Sequence, residues 1–443
     1  MTDTSSPVWH PFTQHGLNEA QPLIDRADGA TLTCRDGSEL IDGISSWWVV
    51  THGHCHPPII SAIREQAEKL DQVIFAGFTH EPAERVAKGL IRLTDRHLPS
   101  HDPLSPDPLT HVFFSDSGST SVEVALKMAL GYWHRHARDH GGKPRHRIIV
   151  MEHSYHGDTI GTMSVGARGV FNQVYTPLLF DVTTIPYPAA GREQAMLDAL
   201  EAACRAAHDP ADKPAALIVE PLILGSGGML FYSPATLKAM AQICAAYDVL
   251  FIADEVMTAW GRTGTLFACE PAEITPDILC LSKGMTGGSL PLAATLARRK
   301  IFDAHVSDDR ADMFFHSSSF TANPIACAAA AANIAIWESE DMPARIASRG
   351  AAMQQHIDRL STHKAFTNAR RMGAIAAIDL ITTGENGYMA DVAPKLRAFF
   401  LERGLLLRPL GNTIYVLPPY CISDTQLNQI FTAIDEAGHL FGS

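Results

Sequence analysis

The sequence lacks the features that bring a protein to a membrane or to nucleic acid. Acidic residues outnumber basic residues by 48 to 35, and the formal net charge of −13 argues against a nonspecific nucleic-acid surface. No apolar run is long enough to span a membrane, since even the alanine-rich stretch 326–336 is too short. The opening residues contain neither the basic nor the apolar region of a secretory signal. We therefore expect a cytoplasmic protein that binds neither nucleic acid nor membranes.

Paired cysteines and nucleotide-binding motifs are also absent. The eight cysteines are scattered and form no CxxC pair, which predicts free thiols in a reducing compartment. His52, His54, Cys55 and His56 are close in sequence, but their spacing matches neither a zinc finger nor an HExxH motif. We therefore predict no metal site. The sequence also has no GxxxxGK[ST] motif, which leaves a nucleotide P-loop unsupported.

What the sequence does contain is a regular alternation of short apolar runs and helical patterns. Each apolar run ends in polar or turn residues, as strands of a buried sheet do. Strands that alternate with helices predict an α/β fold, in which a mostly parallel sheet lies between helices. The runs, with the turns that follow some of them, are residues 111–118, 147–157, 215–222, 249–255, 278–281 and 292–298.

The two ends of the chain have a different pattern. Residues 1–44 contain short alternating pieces typical of a small antiparallel sheet. From about Trp337, helical stretches alternate with short strands, as in an α+β module. We therefore expect a large domain over residues 45–336 and a small domain over residues 337–443, with residues 1–44 packing against the small domain.

Polar residues collect where the predicted strands end. Ligands of parallel sheets bind beyond the carboxyl ends of the strands, so these residues are candidates for a site. Gly118 and Ser119 begin a helix whose unpaired N–H groups suit a phosphate, although a capping box between Thr120 and Glu123 explains the same pattern. The residues at the strand ends are Asp116 to Ser119, Tyr155 to Asp158, Glu220, Asp254, Glu255 and Lys283.

Lys283 raises the sharpest question, because it follows an apolar run and precedes three glycines within residues 284–288. It is either a solvated loop residue or a desolvated amine. Asp254 ends another apolar strand and can balance a buried cation such as a pyridinium nitrogen. Tyr155 can stack on a flat ring, and the Lys283 amine can bond to an aldehyde and later carry a proton. Together with the helix end that suits a phosphate, these residues are candidates to bind the ring nitrogen, the aldehyde and the phosphate of pyridoxal phosphate (PLP).

Longer motifs carry a family resemblance. GSTSVE, SYHGDT, IADEVMTAWGRTG, LCLSKGMTGG and SFTANPIACAAA resemble the class III aminotransferases of PLP fold type I, and the resemblance runs from Trp9 to about Tyr420. It implies PLP as cofactor, a homodimer, and a large domain with a mostly parallel sheet between helices plus a smaller α+β domain. WHPFTQ, DGISSWWVVTHGHCHP and LRPLGNTIYVLPPY resemble the branch of this family that converts 8-amino-7-oxononanoate to 7,8-diaminononanoate in biotin biosynthesis.

The resemblance also implies the roles of individual residues. Lys283 would bond covalently to the PLP aldehyde, Asp254 would pair with the pyridine nitrogen, and Tyr155 would stack on the ring. Together they form the implied catalytic set. The implied cofactor-binding residues are Gly118, Ser119, Tyr155, Asp254 and Lys283, with Ser318 and Ser319 reaching across from the neighbouring subunit.

The implied substrate pocket is more specific to the branch. Arg408 would hold the substrate carboxylate, a task that suits its bidentate guanidinium. Asp158 and Arg262 match family positions near the substrate and cofactor. Phe12 stands where the family often has tyrosine, and the Ser317–Ser319 stretch stands where some members have Gly-Pro-Thr. The implied substrate-binding residues are Trp47, Trp48, Tyr155, Ser317, Arg408, Tyr415 and Phe12.

The implied reaction is a ping-pong transamination through pyridoxamine phosphate. In the family, S-adenosylmethionine is the usual amino donor, and some relatives use lysine. An alternative is another class III ω-amino acid or diamine transaminase that uses pyruvate or 2-oxoglutarate, which would share Lys283 and Asp254 without needing the tryptophan pair or Arg408. A regulatory cofactor-binding protein would carry an appended DNA-binding module or a basic tail, and the sequence shows neither.

Overall fold

The computed structural model describes residues 6–99, 107–205, 213–384 and 386–442. The strands are β1 Ile24–Asp28, β2 Thr31–Cys34, β3 Glu39–Asp42, β4 Leu109–Ser115, β5 Arg147–Met151, β6 Thr183–Ile185, β7 Pro214–Val219, β8 Ile223–Leu224, β9 Leu230–Phe231, β10 Leu250–Asp254, β11 Ile278–Leu281, β12 Ala293–Arg298, β13 Phe366–Met372, β14 Ile375–Leu380, β15 Leu405–Leu406 and β16 Thr413–Val416. The α-helices are α1 Ser45–Trp48, α2 Pro57–Lys69, α3 Glu81–His97, α4 Gly118–His140, α5 Ile160–Ser164, α6 Glu193–Arg205, α7 Pro234–Ala246, α8 Arg299–Asp303, α9 Pro324–Ser339, α10 Met342–Ser361, α11 Val392–Glu402 and α12 Asp424–Phe441.

The largest sheet has seven strands in the order β4-β12-β11-β10-β7-β5-β6. β12 is antiparallel to both of its neighbours, and the remaining pairs are parallel. Every predicted run coincides with one strand of this sheet, so the expectation of a mostly parallel α/β sheet is confirmed. The sequence pattern does not predict β6, because an edge strand of three residues is too short to show a period.

The large sheet is buried on both faces. In β10, Leu250 and Ile252 belong to one hydrophobic cluster, and Phe251 and Ala253 belong to another. A strand buried on both sides has no polar face, which explains why these strands read as continuous apolar runs. Because β12 is antiparallel to β4 and β11, the carboxyl ends of β4, β5, β7, β10 and β11 meet at one edge.

Two smaller sheets contain the ends of the chain. β1, β2, β3 and β15 form one sheet, in which Leu405 of β15 pairs with Ile41 of β3. β13, β14 and β16 form the other, and a third hydrophobic cluster joins this region to α12. The β3–β15 pairing links the N-terminal segment to the C-terminal region. The domain bounds at residues 44 and 336 stay a prediction.

The start of α4 corrects one expectation. The N-cap is Ser117, whose Oγ accepts from the Thr120 N–H at 3.2 Å, while Thr120 Oγ1 accepts from the Ser117 N–H at 2.9 Å. The Thr120–Glu123 capping box is therefore wrong. Glu123 instead accepts from the Thr159 hydroxyl at 2.6 Å and from the Gly161 N–H at 2.9 Å, so a tertiary contact takes the place of the local one.

Membrane contact can be judged for the described part of the chain. Within it, no helix combines the length and the apolar character that a membrane crossing needs.

Candidate active site

Most of the residues predicted at the strand ends surround one small cavity, and Asp116, Asp158 and Glu255 do not line it. Asp254 is the last residue of β10, Glu220 follows β7, and Lys283 follows β11 after a single intervening residue. The cavity has a volume of about 210 Å³. Its lining residues are Trp48, Ser117, Gly118, Ser119, Tyr155, His156, Gly157, Glu220, Asp254, Val256, Met257 and Lys283.

Lys283 faces this cavity with a perturbed amine. Its backbone lies in the left-handed region, with φ of 46°, a conformation that non-glycine residues keep mainly at functional sites. Burial lowers the pKa of the Lys283 ammonium, and the Asp254 and Glu220 carboxylates oppose that shift. Its Nζ lies 5.3 Å from the centre of the Trp48 ring. Lys283 is half-buried at the cavity wall, and these features favour the desolvated amine over the solvated loop residue.

Asp254 is held by a histidine. Its Oδ2 lies 2.6 Å from Nδ1 of His156, and its Oδ1 accepts from the Val256 N–H at 3.1 Å. The His156 ring is buried, and no group of the described residues bonds to its Nε2. Nδ1 therefore donates to the carboxylate, and His156 fixes the orientation of Asp254. His156 lies among the strand-end candidates and within the SYHGDT motif, but its bond to Asp254 was not predicted.

Glycines shape the other side of the cavity. A Cβ on Gly118 would lie 2.5 Å from Val256 Cγ1, and a Cβ on Gly157, where φ is 131°, would lie 2.1 Å from Ser119 Oγ. The first turn of α4 opens onto the same space with its unpaired N–H groups. A buried carboxylate, a desolvated amine and a helix N-terminus thus surround a narrow slot. This set of groups fits the ring nitrogen, aldehyde and phosphate of PLP.

A second cavity of about 390 Å³ shares Trp48, Tyr155 and Lys283 with the first. Most of its wall is aromatic, and Arg408 is a cation in that wall. The lining residues are Pro11, Phe12, Trp47, Trp48, Tyr155, Asp158, Phe171, Ser226, Lys283, Tyr388, Arg408, Leu410 and Tyr415.

The aromatic wall is held by specific contacts. Trp48 Nε1 donates to the Tyr415 hydroxyl at 2.9 Å. Phe12 packs edge-on against Trp47 with ring centres 5.4 Å apart. The Arg408 guanidinium lies 5.2 Å from the Trp47 ring and donates to the Phe12 carbonyl at 2.9 Å. Most of the predicted substrate-binding residues therefore meet around one cavity that begins at the Lys283 amine.

Some predicted residues lie elsewhere. Among the described residues, Ser317, Ser318 and Ser319 line neither cavity of their own chain. The Ser318 hydroxyl donates to the Asp116 carboxylate, and the Ser319 carbonyl accepts from Gln72. These serines are thus placed at the surface near the end of β4.

Arg262 lies next to Trp48, which lines both cavities, so its expected position near the ligands stays a prediction. It is buried, lines neither cavity, and donates to the backbone carbonyls of Trp48, Val50 and Pro418. Its contacts are therefore with the backbone around the tryptophan pair. Asp158, by contrast, lines the larger cavity.

Other residues that line the two cavities were not predicted as ligands, among them Phe171, Tyr388 and Glu220. Phe171 and Tyr388 come from separate loops and pack edge-on with ring centres 4.6 Å apart. Glu220 accepts from the Tyr155 N–H at 3.0 Å and from the Gly225 N–H at 3.1 Å, and burial raises its pKa to about 7. No sequence pattern marks Phe171 and Tyr388 as part of the site, whereas Glu220 is recognisable from its position at the end of a strand.

The histidines near residue 54 have protein partners. His52 Nε2 bonds to Asn333 Oδ1 at 2.7 Å, and burial lowers the pKa of His52 to about 4. His54 Nε2 lies 2.8 Å from Asp42 Oδ2. The His52 and His54 rings are therefore each bonded to another side chain of the protein.

Comparison with known proteins adds an independent finding. The sequence profile described as aminotransferase class-III matches residues 13–437. The chain is 46% identical to the adenosylmethionine-8-amino-7-oxononanoate aminotransferase of Synechococcus elongatus, over 96% of this chain and 97% of that protein. It superposes with a TM-score of 0.90 on the crystal structure of the enzyme of the same name from Methanocaldococcus jannaschii, at 32% identity over 98% and 97% of the two chains. An amine transaminase from an uncultivated Pseudomonas species, in its PLP-bound form, gives a TM-score of 0.89 at 29% identity, over 99% of each chain.

Proposed function

The chain belongs to the class-III aminotransferase family, and we propose that it transfers an amino group to 8-amino-7-oxononanoate, giving 7,8-diaminononanoate in biotin biosynthesis. It is a PLP-dependent aminotransferase with the fold of type I PLP enzymes. We propose S-adenosylmethionine as the amino donor. Full-length similarity to the Synechococcus and Methanocaldococcus proteins, whose names state this donor and acceptor, supports the proposal.

The cofactor end of the site explains the first half of the reaction. PLP, when bound, supplies an aldehyde that bonds to amines and a ring that accepts the electron pair released at the α-carbon. Asp254 would hold the proton on the ring nitrogen, and His156 keeps Asp254 in place. The start of α4, with Gly118 and Ser119, would hold the phosphate. Lys283 would bond to the aldehyde in the resting enzyme, and its free amine would move a proton at the α-carbon of the donor.

The substrate end explains the choice of acceptor. The observation that carries the proposal is the cavity that joins Lys283 to Arg408 along a wall containing Trp47 and Trp48. An acceptor with a ketone near one end, an apolar chain and a terminal carboxylate matches that sequence of groups. Arg408 binds the carboxylate, and the aromatic wall packs on the chain and excludes water.

Replacing Arg408 tests this assignment. We expect Arg408→Ala to lower kcat/KM for 8-amino-7-oxononanoate by about 10- to 100-fold, because a charge-assisted hydrogen bond is lost. Rapid-mixing absorbance should show that the half-reaction with S-adenosylmethionine changes far less. Arg403→Ala is the matched control, since Arg403 pairs with Glu436 and lines neither ligand cavity. Equal effects of the two substitutions would contradict the role of Arg408.

We also propose that the chain works as a homodimer. Ser317, Ser318 and Ser319 lie outside both cavities of their own chain, and in a two-fold dimer they would bind the phosphate and substrate of the partner subunit. Phe315 and Phe320 flank them and are 65% and 61% exposed, which supports burial of this segment in an interface. A cytoplasmic location is part of the same proposal and is supported by the eight cysteines, all of which are free.

A further inference from the structure

The turn that presents Trp47 and Trp48 has an unusual backbone. Ser45, Ser46 and Trp48 have φ values of 53°, 61° and 67°, all in the left-handed region. Ser46 and Trp47 depart from helical geometry although they lie inside α1. Such conformations are unfavourable for non-glycine residues and persist where the surroundings fix them. The contacts that hold this turn therefore determine where the two tryptophan rings lie.

Asp42 supplies the central contacts. It ends β3 and its side chain is fully buried. Its Oδ1 accepts from the Ile44 N–H at 3.2 Å and from the Ser46 N–H at 2.9 Å. Its Oδ2 lies 2.7 Å from the Ser46 nitrogen and accepts from the Ser46 hydroxyl at 3.2 Å. One carboxylate therefore satisfies the backbone of the turn at its most strained residue.

His54 completes the arrangement from the other side. Its Nε2 donates to Asp42 Oδ2 at 2.8 Å, and its side chain is 14% exposed. Its backbone exchanges hydrogen bonds with Gly29, at 2.7 Å for the His54 N–H and 3.3 Å for the Gly29 N–H. A buried carboxylate is costly unless its oxygens are hydrogen-bonded, and the fixed ring of His54 supplies a further bond to Oδ2.

Further contacts connect the turn to the residues that line the two cavities. The Ser45 hydroxyl donates to the Leu417 carbonyl at 2.8 Å, and Arg262 donates to the carbonyl of Trp48. Trp47 then packs against Phe12, and Trp48 lies beside Lys283. Neither Asp42 nor His54 lines the two cavities.

We propose that Asp42 and His54 are a positioning pair that fixes the strained turn of residues 44–48, and through it the acceptor-facing tryptophans. The pair touches neither cofactor nor acceptor and acts through Trp47 and Trp48. The kinetic test uses 8-amino-7-oxononanoate and therefore rests on the proposed function. The position of the turn does not depend on the proposed function and can be measured in the cofactor-free protein.

Kinetics provide the first test. We expect Asp42→Asn to raise KM for 8-amino-7-oxononanoate roughly tenfold while kcat falls less than about threefold, because the chain of the acceptor loses its packing wall. His54→Leu should act in the same direction, and His54→Gln, which keeps an N–H donor, should restore most of the KM. If Asp42→Asn does not fold, the comparison of His54→Leu with His54→Gln decides the same question.

Asp277→Asn is the control for simple loss of a hydrogen-bonded carboxylate, since the Asp277 side chain is only 12% exposed. Asp277 accepts from the Phe251 N–H at 2.8 Å and pairs with Lys300 at 2.7 Å, away from the turn. We expect it to lower stability without changing the acceptor KM. If the KM for 8-amino-7-oxononanoate is the same in Asp42→Asn as in Asp277→Asn, the positioning role is wrong.

Tryptophan fluorescence provides a readout that needs neither cofactor nor substrate. In the cofactor-free protein, we expect Asp42→Asn to increase quenching by acrylamide, and the increase to vanish when Trp48 is also replaced by phenylalanine. Unchanged quenching would overturn the proposal. If the wild-type enzyme itself does not use the acceptor, the proposed function fails, and increased Trp48-dependent quenching still supports the positioning pair.

Discussion

At the residue scale, Asp254 and Glu255 show how neighbours in sequence acquire different tasks. Asp254, the last residue of β10, lines the smaller cavity, and Glu255, which follows the strand, does not. Glu255 is fully buried and accepts from the N–H groups of Ala268 at 2.7 Å and Cys269 at 2.9 Å. Burial raises the pKa of Glu255 to about 7. The carboxyl is therefore a structural acceptor that resists ionisation.

Glu255 should make stability depend on pH. Its folded-state pKa of about 7 exceeds the unfolded value of 4.5, so its stabilising contribution is complete below pH 4.5 and is lost as pH rises through 7. Glu255→Gln lacks this pH dependence. As pH rises through that range, we expect its unfolding free energy to increase relative to that of wild type by roughly 3 kcal/mol. Urea unfolding of both cofactor-free proteins at pH 5 and pH 8 measures the change. A difference that is the same at both pH values would contradict this assignment.

The sequence predicts strand-end residues better than loop residues. Lys283 and Asp254 lie at the ends of apolar runs whose length and flanking polar residues are typical of strands. Their position at one edge of the large sheet could therefore be predicted from the sequence. Phe171 and Tyr388 meet at 4.6 Å through two loops, and no local pattern encodes that meeting. The position of His156 beside Asp254 was likewise hidden, because strand order decides which strand ends are neighbours.

At the element scale, the distance between α4 and the end of β10 depends on one missing side chain. Gly118 begins α4, and a Cβ at this position would lie 2.5 Å from Cγ1 of Val256. The helix N-terminus can therefore approach the cavity this closely only with glycine at its first position. This packing sets the width of the cavity on that side, where the flat ring of PLP would lie.

Overpacking this contact should be measurable. We expect Gly118→Ala to lower the unfolding free energy of the cofactor-free protein by about 1–3 kcal/mol, and Val256→Ala in the same protein to recover part of the loss. Gly169→Ala is the control, since a Cβ there meets no atom within 4 Å. Additive effects of the Gly118 and Val256 substitutions would contradict a direct contact.

Elements with long, regular patterns were predictable, and short or strained ones were not. Helix α2 begins at Pro57 and ends at Lys69, as the proline pair and the apolar spacing indicate. The two-residue strands β8 and β9 and the strained turn at Ser45–Trp48 have no such pattern. In these segments tertiary hydrogen bonds decide the backbone, so the sequence shows their composition but not their shape.

At the scale of the whole molecule, the site is divided between elements that one chain brings together and a serine segment that it leaves outside. Lys283, Asp254 and Arg408 surround the joined cavities of a single chain, whereas Ser318 and Ser319 lie outside them. The proposed homodimer accounts for this division. Sequence alone implied the arrangement by family resemblance, since no pattern in one chain states what a second chain contributes.

Subunit mixing tests the shared site. We expect Lys283→Ala and Ser319→Asp proteins each to have little activity, the second because a carboxylate repels the phosphate. After unfolding and joint refolding, mixed dimers would contain one intact site, and random pairing predicts about a quarter of wild-type activity. Activity no greater than the sum of the two separate proteins would contradict a site shared between subunits.

The central claim concerns which amine is taken and which ketone receives it. The most direct measurement mixes the PLP-loaded enzyme with S-adenosylmethionine, or separately with lysine, in a single turnover while the visible cofactor absorbance is followed. We expect S-adenosylmethionine to bleach that absorbance and 8-amino-7-oxononanoate to restore it. Bleaching by lysine alone would contradict the donor assignment and direct attention to Phe12. Recovery with pyruvate or 2-oxoglutarate but not with 8-amino-7-oxononanoate would contradict the central claim.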